Sequence, residues 1–365
     1  MKRTSIRLRT AIAVSALALA LSPVLALSAG ASGGGWTPVA QGNNPASLPG
    51  SSVFGTTAPS TPEQVSFILD EQNKNQLENQ VENGVASDLS VNQFANQYGQ
   101  SQSNIKALTT YLAKYGIVST VYADDVDVST TGTAGDYDSA LSVQQDQYRV
   151  PAYPGRYGGW GSPAQTVHGA TTSPELPNQL ASFVLAVLGL SNYQPFSSQS
   201  VHMDTAVSKP QQGNSNACIA LTGLANACNT PSNFESNYGL SPLENSHAGA
   251  GQTIGIVTLA ALDVGAPETF WSTEGIPTTG RTVTVQNIDG GPGAPSYNAG
   301  STETDLDVEQ SGGIAPGANV IVYQAPNTDP GFADSFFTAA SQNVAGSVSS
   351  SWGESETVIA ASVAA

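Results

Sequence analysis

Apolar positions in the first half of the chain recur with two spacings, and together these predict alternating strands and helices. Short apolar runs between turn residues are typical of strands, whereas apolar residues three and four positions apart are typical of one helix face. Strands are predicted at 65–69, 117–121 and 125–129, and helices at 71–83, 101–116 and 137–141. A longer apolar stretch at 176–190 predicts a largely buried helix. The order strand, helix, strand, strand, helix is typical of a ferredoxin-like α+β unit.

The second half of the chain predicts a different kind of unit. Its strands are apolar throughout, as in a parallel sheet that is covered on both faces. They are predicted at 249–258, 320–324 and 346–353, with helices at 230–240 and 332–345. Strands and helices that alternate in this way predict an α/β unit.

The N-terminal 31 residues have the pattern of a secretory signal peptide. Basic residues precede an apolar run from Ala11 to Leu27, and Ala29-Gly-Ala31 offers small residues for cleavage. No later run approaches the ~20 apolar residues that would span a bilayer. We therefore expect a secreted protein that has no membrane anchor after the signal is removed. Stretches rich in Gly, Ser, Pro and Asn predict a flexible linker at 32–61 and a second linker, open to maturation cleavage, at 194–216.

The composition narrows the range of partners. The 365 residues carry a net charge of −17, yet only 11% of them are charged. With so few Lys and Arg residues, binding to nucleic acid or to an anionic membrane is not expected. The low charge content fits a protein that works in acid and equally fits an ordinary secreted surface. In an exported protein, Cys218 and Cys228 predict a disulfide that contributes roughly 2–3 kcal/mol.

Four carboxylates alternate along a helix that is predicted in the second unit, at Glu303, Asp305, Asp307 and Glu309. At ~100° per residue, Glu303 and Asp307 share one face of the helix. Two carboxylates on one face can share a proton, which separates their pKa values and suits acid–base chemistry at low pH. The helix dipole alone would explain acidic residues only near the N-terminus of the helix.

The segment from Gly300 to Pro326 resembles the sedolisin family of serine-carboxyl peptidases (kumamolisin- and pseudomonalisin-like). It contains the family's Glu-x-x-Leu-Asp helix motif at 303–307, followed by an Ala-Pro-Gly-Ala turn at 315–318. Motifs that resemble those of the family's pro-domain occur in order at 89–99, 111–116, 126–132 and 187–193. Segments 230–240 and 249–258 resemble the start of the mature enzyme.

The resemblance implies an architecture for the whole chain. An α+β ferredoxin-like pro-domain would occupy 62–193, and the N-terminal part of an α/β subtilisin-like parallel-sheet domain would occupy 217–365. The pro-domain would act as an intramolecular inhibitor and folding aid, and acid would release it by protonating carboxylates at its interface. A monomer that acts on peptides is expected. The resemblance implies no cofactor and no metal in this chain, with Ca²⁺ in the full-length protein bound by ligands beyond residue 365.

The resemblance also implies residue roles. Glu303 would take the proton of a nucleophilic serine, and Asp307 would hold Glu303 in place and modulate its pKa. Asp305 and Glu309 would then face solvent. The segment Ser351-Trp352-Gly353 resembles the family's substrate-lining strand, whose backbone pairs with an extended peptide; the alternative interpretation of Trp352 is a core aromatic. The histidines match no catalytic position, and we expect them at the surface; they are His168, His202 and His247.

One departure from the family is large. The Gly-Asp-x-Gly element of the oxyanion aspartate and the Gly-Thr-Ser-x-Ser-Ala element of the nucleophile do not occur after Trp352. The sequence therefore predicts the N-terminal portion of a secreted, acid-acting endopeptidase zymogen that does not cleave peptides by itself. The alternative is a short secreted protein that binds or inhibits peptidases through its pro-domain. A structural cell-surface protein is a third possibility, without a repeat or anchor to support it.

Overall fold

The computed structural model describes residues 35–84, 89–152, 162–198, 230–240, 242 and 247–354. An N-terminal region, residues 35–193, is built on antiparallel sheets, and a C-terminal region, residues 230–354, is built on a parallel sheet. The result is a mixed α+β architecture. None of the described helices is both long and apolar enough to cross a bilayer.

The N-terminal region combines ten strands and five helices among its described residues. Its strands are β1 (Trp36–Pro38), β2 (Ala40–Gln41), β3 (Ser52–Thr56), β4 (Pro62–Leu69), β5 (Val118–Val121), β6 (Asp127–Thr133), β7 (Gln145–Val150), β8 (Gln165–Ala170), β9 (Glu175–Pro177) and β10 (Val184–Leu188). Its helices are α1 (Lys74–Glu82), α2 (Val91–Gln97), α3 (Gln102–Ala113), α4 (Ala134–Leu141) and α5 (Asn178–Ala181).

The largest sheet of this region has the strand order β2-β10-β4-β6-β5. Neighbouring strands run antiparallel, except that β2 and β10 are parallel. Strands β3, β7 and β8 form a second antiparallel sheet, and β1 pairs with β9. Helices α3 and α4 contribute to the core beside the large sheet, with Ile105, Leu108 and Leu112 buried on α3.

Local sequence explains where α3 and α4 begin and end. The side chain of Ser101 accepts a hydrogen bond from the backbone N of Asn104 and so caps α3. Gly116, just beyond α3, has a φ of +87°, which glycine adopts without strain. At the start of α4, Thr133 and Asp136 cap each other's backbone in a capping box.

The helix predicted at 176–190 is wrong. The structure has β9, the short helix α5 and strand β10 there, and β10 lies inside the large sheet between β2 and β4. Most of the side chains of β10 are buried. A short segment that is apolar on both faces loses the two-residue period that distinguishes a strand from a buried helix.

The flexible linker predicted at 32–61 does not hold for residues 35–61. This stretch supplies β1, β2 and β3, each of which pairs with a strand of the N-terminal region. The strands are two to five residues long and rich in polar residues, so composition alone indicated a linker. Their stability comes from pairing with distant strands and not from their own sequence.

The C-terminal region is an α/β unit. Its strands are β12 (Thr253–Thr258), β13 (Val283–Asn287), β14 (Asn319–Gln324), β15 (Ser347–Ser349) and β16 (Trp352–Gly353), and β11 (Ser197–Ser198) precedes them in the chain. Its helices are α6 (Pro231–Tyr238), α7 (Ala266–Thr273), α8 (Ser301–Ile314) and α9 (Asp329–Gln342).

Four of these strands form a parallel sheet in the order β13-β14-β12-β15. Strands β12 and β14, at its centre, are largely buried, as the apolar runs predicted. The predicted strand at 346–353 is divided into β15 and β16. Ligands of open parallel sheets bind beyond the carboxyl ends of the strands, and α8 contacts both β12 and β14.

Candidate active site

Helix α8 begins at a glycine that packs against Trp352. Gly300 has a φ of +95°, a left-handed conformation that disfavours a side chain. A Cβ at this position would lie 2.7 Å from Cη2 of Trp352. The Trp352 ring therefore lies against the start of α8, whose first turn carries Glu303.

Glu303 and Asp307 lie on the inner side of α8. Glu303 is 4% exposed, and Asp307 is partly buried. Oε2 of Glu303 and Oδ2 of Asp307 are buried without a hydrogen-bond partner among the described residues. Such oxygens are costly to leave unpaired. Both oxygens therefore have room for a donor that the described residues do not supply.

Ser351 connects strand β16 to this pair. Its Oγ donates a hydrogen bond of 2.8 Å to Oδ1 of Asp307. Burial raises the pKa of Asp307 to about 6, the Ser351 hydroxyl lowers this pKa, and the charge of Glu303 raises it. Asp307 is therefore protonated below about pH 6, and its second oxygen then becomes a donor.

A row of hydroxyl groups, which the sequence did not predict, supports the same site. Nε1 of Trp352 donates to Oγ1 of Thr258 at 2.9 Å, and Oγ1 of Thr258 lies 2.6 Å from Oγ1 of Thr304. Oγ1 of Thr304 donates to the carbonyl of Ala260 at 3.1 Å. These bonds fix the indole of Trp352 against α8. Thr258 is the last residue of β12, and a polar residue at the carboxyl end of a buried parallel strand is the signal that could have revealed it.

Asp305 and Glu309 are not solvent-facing, so that prediction is wrong. Oδ1 of Asp305 accepts a hydrogen bond from the backbone N of Asp263 at 2.9 Å. Burial raises the pKa of Asp305 to about 6, and burial together with the charge of Asp305 raises that of Glu309 to about 8. The loop after β12 and helix α7 cover this side of α8, and Trp271 of α7 donates to the carbonyl of Glu309.

The strand β16 contributes Trp352 and Gly353 to an antiparallel pair with residues just beyond the N-terminal region. Ser197 pairs with Gly353, and Ser198 pairs with Trp352. A cavity of about 440 Å³ lies between this segment and the C-terminal region. Its lining includes Phe196, Tyr297, Gly300, Asn327 and Trp352. Part of the predicted linker at 194–216 therefore lies along β16; residues 199–216 fall outside the described ranges.

Buried carboxylates hold the N-terminal region on helix α9. Asp127 of β6, Asp289 and Asp334 of α9 form one cluster, in which Oγ of Ser66 donates to Oδ1 of Asp334 at 2.6 Å. Burial raises the pKa of all three carboxyls, and Asp334 raises those of Asp127 and Asp289 further. Neither carboxylate oxygen of Asp127 accepts a hydrogen bond from an N–H or hydroxyl group of the described residues, and its hydrogen bond with Asp334 requires a proton on one of the two carboxyls.

A second contact between the regions is fully supplied with donors. Asp329, at the start of α9, accepts hydrogen bonds from the backbone N and from Nδ2 of Asn43, the latter at 2.7 Å. Nδ2 of Asn43 also lies 3.2 Å from Oε2 of Glu354, next to β16. Burial raises the pKa of Asp329, and the Asn43 donors lower it.

The predictions for histidine and cysteine have different outcomes. His168 is not at the surface: it lies in β8, 7% exposed, with Nε2 3.2 Å from Oε1 of Glu63. Burial lowers the pKa of His168 and raises that of Glu63 to about 7. His247 is exposed. Cys218, Cys228 and His202 lie outside the described residues, so the disulfide stays a prediction. In the part of the chain that the structure describes, no three His, Cys, Asp or Glu residues could together hold a metal ion.

Comparison with known proteins identifies the N-terminal region. A family model described as "Pro-kumamolisin, activation domain" matches residues 49–193. The chain is also 34% identical over 113 residues to kumamolisin of Bacillus sp. (strain MN-32). This match covers 30% of the chain and 20% of kumamolisin, so the chain spans about a fifth of the relative's length.

Proposed function

The chain carries the pro-domain of a sedolisin-family protein, and we propose on this premise that it belongs to the zymogen of a secreted, acid-acting serine-carboxyl endopeptidase. The observation that carries the proposal is the position of residues 197–198. They pair with β16, and Ser351, the residue before β16, donates a hydrogen bond to Asp307. A segment that leaves the pro-domain and lies along the expected substrate strand would exclude a peptide substrate.

Glu303 is proposed as the general base and Asp307 as its positioning residue. A base for acidic conditions must remain unprotonated where an imidazole is charged, and a carboxylate meets that requirement. Burial raises the pKa of Asp307 to about 6, so Asp307 stays protonated in acid and has a proton to donate on the helix face that it shares with Glu303. Trp352, held by Thr258, and Ser351 fix this arrangement. The nucleophile and the oxyanion aspartate are not assigned to residues of this chain.

Further parts of the proposal rest on sequence and topology. The order β10-β4-β6-β5, with all neighbours antiparallel, supports a ferredoxin-like pro-domain, and the four-stranded parallel sheet supports a subtilisin-like catalytic domain. The signal pattern at 1–31 supports secretion. A disulfide between Cys218 and Cys228, Ca²⁺ in the complete enzyme and a monomeric state are proposed with it.

The test is to express the complete reading frame that contains these residues and to measure peptide hydrolysis between pH 3 and 7. We expect activity in acid that falls by at least about a hundredfold in Glu303→Gln, because removal of a general base typically costs 10²–10⁴-fold. Glu268→Gln, an exposed residue of α7, is the matched control. Undiminished hydrolysis with Gln at 303 would overturn the role of Glu303. A product that hydrolyses no peptide but binds an acid peptidase would support the alternative of a pro-domain inhibitor.

A further inference from the structure

Phe196, the residue before β11, is held through its main chain by one side chain of the C-terminal region. Its backbone N donates to Oδ1 of Asn327 at 3.2 Å, and its carbonyl accepts from Nδ2 of Asn327 at 2.8 Å. A carboxamide has one acceptor and one donor group, so it can satisfy both backbone groups of one residue. This contact requires an extended residue but no particular side chain.

Asn327 lies where the parallel sheet presents its carboxyl edge. It follows β14 and Pro326, and the next residue, Thr328, caps helix α9 by accepting from the backbone N of Gly331. The backbone N of Thr328 donates to the carbonyl of Pro326 at 2.8 Å. The short turn between β14 and α9 therefore fixes the position of the carboxamide relative to β16.

The side chain of Phe196 has its own contact surface. Its ring stacks on the ring of Phe332 with centroids 4.4 Å apart and an angle of 22° between the planes. Phe332 in turn meets Phe336 edge to face, with centroids 5.1 Å apart. Aromatic pairs of this kind are favourable beyond the area they bury. Both rings belong to the first two turns of α9, so the surface is part of a regular element.

Three consecutive residues, 196–198, are thus bound as an extended peptide. Asn327 holds the first, and β16 pairs with the next two. Except for the ring stack, these contacts use backbone groups that every peptide possesses. The cavity beside them, which Tyr297 to Gly300 also line, reaches the residue that precedes α8, the helix that carries Glu303.

We propose that Asn327 and Phe332 form a substrate subsite, here called the Phe196 subsite, which binds the main chain of one substrate residue and prefers an aromatic side chain there. In this chain Phe196 occupies the subsite as an internal stand-in for substrate. The inference rests on the proposed function, since it names a specificity of the same site. It also defines the ligand chemistry: an extended, unmodified peptide with an aromatic residue two positions before the residue opposite Trp352.

The experiment measures binding, so it does not depend on catalysis. In the 365-residue chain, Phe196→Gly, Ser197→Gly and Ser198→Gly together weaken the internal occupant. A fluorescent peptide with the sequence Gln-Pro-Phe-Ser-Ser is then titrated, and its anisotropy is recorded. Two further peptides carry either Ala in place of Phe or an N-methyl group on the Phe nitrogen. The N-methyl group removes the donor to Asn327.

We expect the parent peptide to bind and each modified peptide to bind about three- to tenfold more weakly. Adding Asn327→Leu should weaken the parent by a similar factor and abolish the difference between the parent and the N-methyl peptide. Asn75→Leu, at an exposed position of α1 outside the cavity lining, is the matched control and should change neither. Unchanged circular dichroism establishes that each variant is folded.

Two results would overturn the subsite. One is that no peptide binds the glycine variant; the other is that the N-methyl penalty persists in Asn327→Leu, because the methyl group then acts elsewhere. Failure of the peptidase proposal gives a different result. If the complete protein hydrolyses no peptide while the binding pattern holds, the Phe196 subsite stands as a peptide-binding site and catalysis is rejected.

Discussion

Asp307 on α8 and Asp127 on β6 are both carboxylates taken out of water, but their surroundings differ. Asp307 is partly buried and has a hydroxyl donor, Ser351, which immediately precedes β16. Asp127 is fully buried between the two regions and faces Asp334 and Asp289 without a donor of its own among the described residues. The donor beside Asp307 limits the rise in its pKa, whereas the neighbouring carboxyls raise the pKa of Asp127 further.

The difference assigns the two groups to different tasks. With a pKa of about 6, Asp307 takes up a proton as the medium becomes acidic and can then act as a hydrogen-bond donor. A sealed cluster of carboxylates is stable only while it holds protons. Because docking raises these pKa values, the docked state binds more protons than the separated state. The cluster therefore stabilises docking in acid and loses this contribution as the pH rises through the raised pKa values.

This direction is opposite to the expectation that protonated interface carboxylates release the pro-domain. The groups that face the cluster are the carboxyl of Asp124 and the hydroxyl of Tyr122. Neither becomes positively charged in acid, so neither would push the two regions apart as the pH falls. The buried pair of His168 and Glu63 gives no clear direction either. The lowered pKa of His168 costs the folded N-terminal region stability as the pH falls below the ordinary value of about 6.5, whereas the pKa of Glu63, raised to about 7, adds stability in the same range.

The largest loss of stability is expected where a buried carboxylate loses a hydrogen-bond donor that nothing replaces. Asn43→Ala removes the side-chain donor to Asp329, which is fully buried. We expect the free energy of unfolding at pH 7 to fall by about 3 kcal/mol, since an under-supplied buried charge costs more than a neutral group. Urea unfolding of the 365-residue chain measures it.

Asn79→Ala is the matched control, because Asn79 makes an exposed bond to the carbonyl of Asn75. It should cost under about 1 kcal/mol. Equal losses in the two variants would mean that the side chain of Asn43 does not stabilise Asp329.

A smaller effect, with a defined pH dependence, is expected at the carboxylate cluster. Asp127→Asn is neutral at every pH and adds a donor beside Asp334. Relative to the unaltered chain, we expect this variant to be more stable by about 2 kcal/mol at pH 8 and to gain less at pH 4, where Asp127 is protonated. Calorimetry at the two pH values measures the difference.

Asp70→Asn, an exposed aspartate just after β4, serves as the reference for this comparison. Its stability difference from the unaltered chain should be small at both pH values. If Asp127→Asn destabilises the chain at pH 8 more than at pH 4, then Asp127 is ionised and stabilising in the docked state, and the sign argued above is wrong.

The sequence was sufficient where a single element carries the information. The spacing of Glu303 and Asp307 on one helix needs only the helical repeat, and the structure has a helix over Ser301–Ile314. The pro-domain motifs led to the family that the comparison supports at 49–193. Central strands such as β12 and β14 were predictable because burial on both faces leaves an apolar run.

The sequence was insufficient where distant residues meet. Asp127, Asp289 and Asp334 come from separate elements, and no local pattern marks them as neighbours. Asp305 and Glu309 were predicted to be exposed, because helical spacing defines a face of the helix but not what covers that face. Strands β1 to β3 lacked a signal because partner strands, and not side-chain pattern, hold them.

The smallest effect tests the donor that distinguishes Asp307 from Asp127. Ser351→Ala removes the hydrogen bond to Oδ1 of Asp307, so the pKa of Asp307 should rise above about 6 while the free energy of unfolding at pH 7 falls by about 1 kcal/mol. A carboxyl ¹³C NMR titration of the 365-residue chain follows the pKa, and Ser139→Ala, which removes an exposed bond within α4, should leave it in place. An Asp307 whose titration does not respond to Ser351→Ala would be set by burial alone, and the two carboxylate groups would then differ only in how deeply they lie.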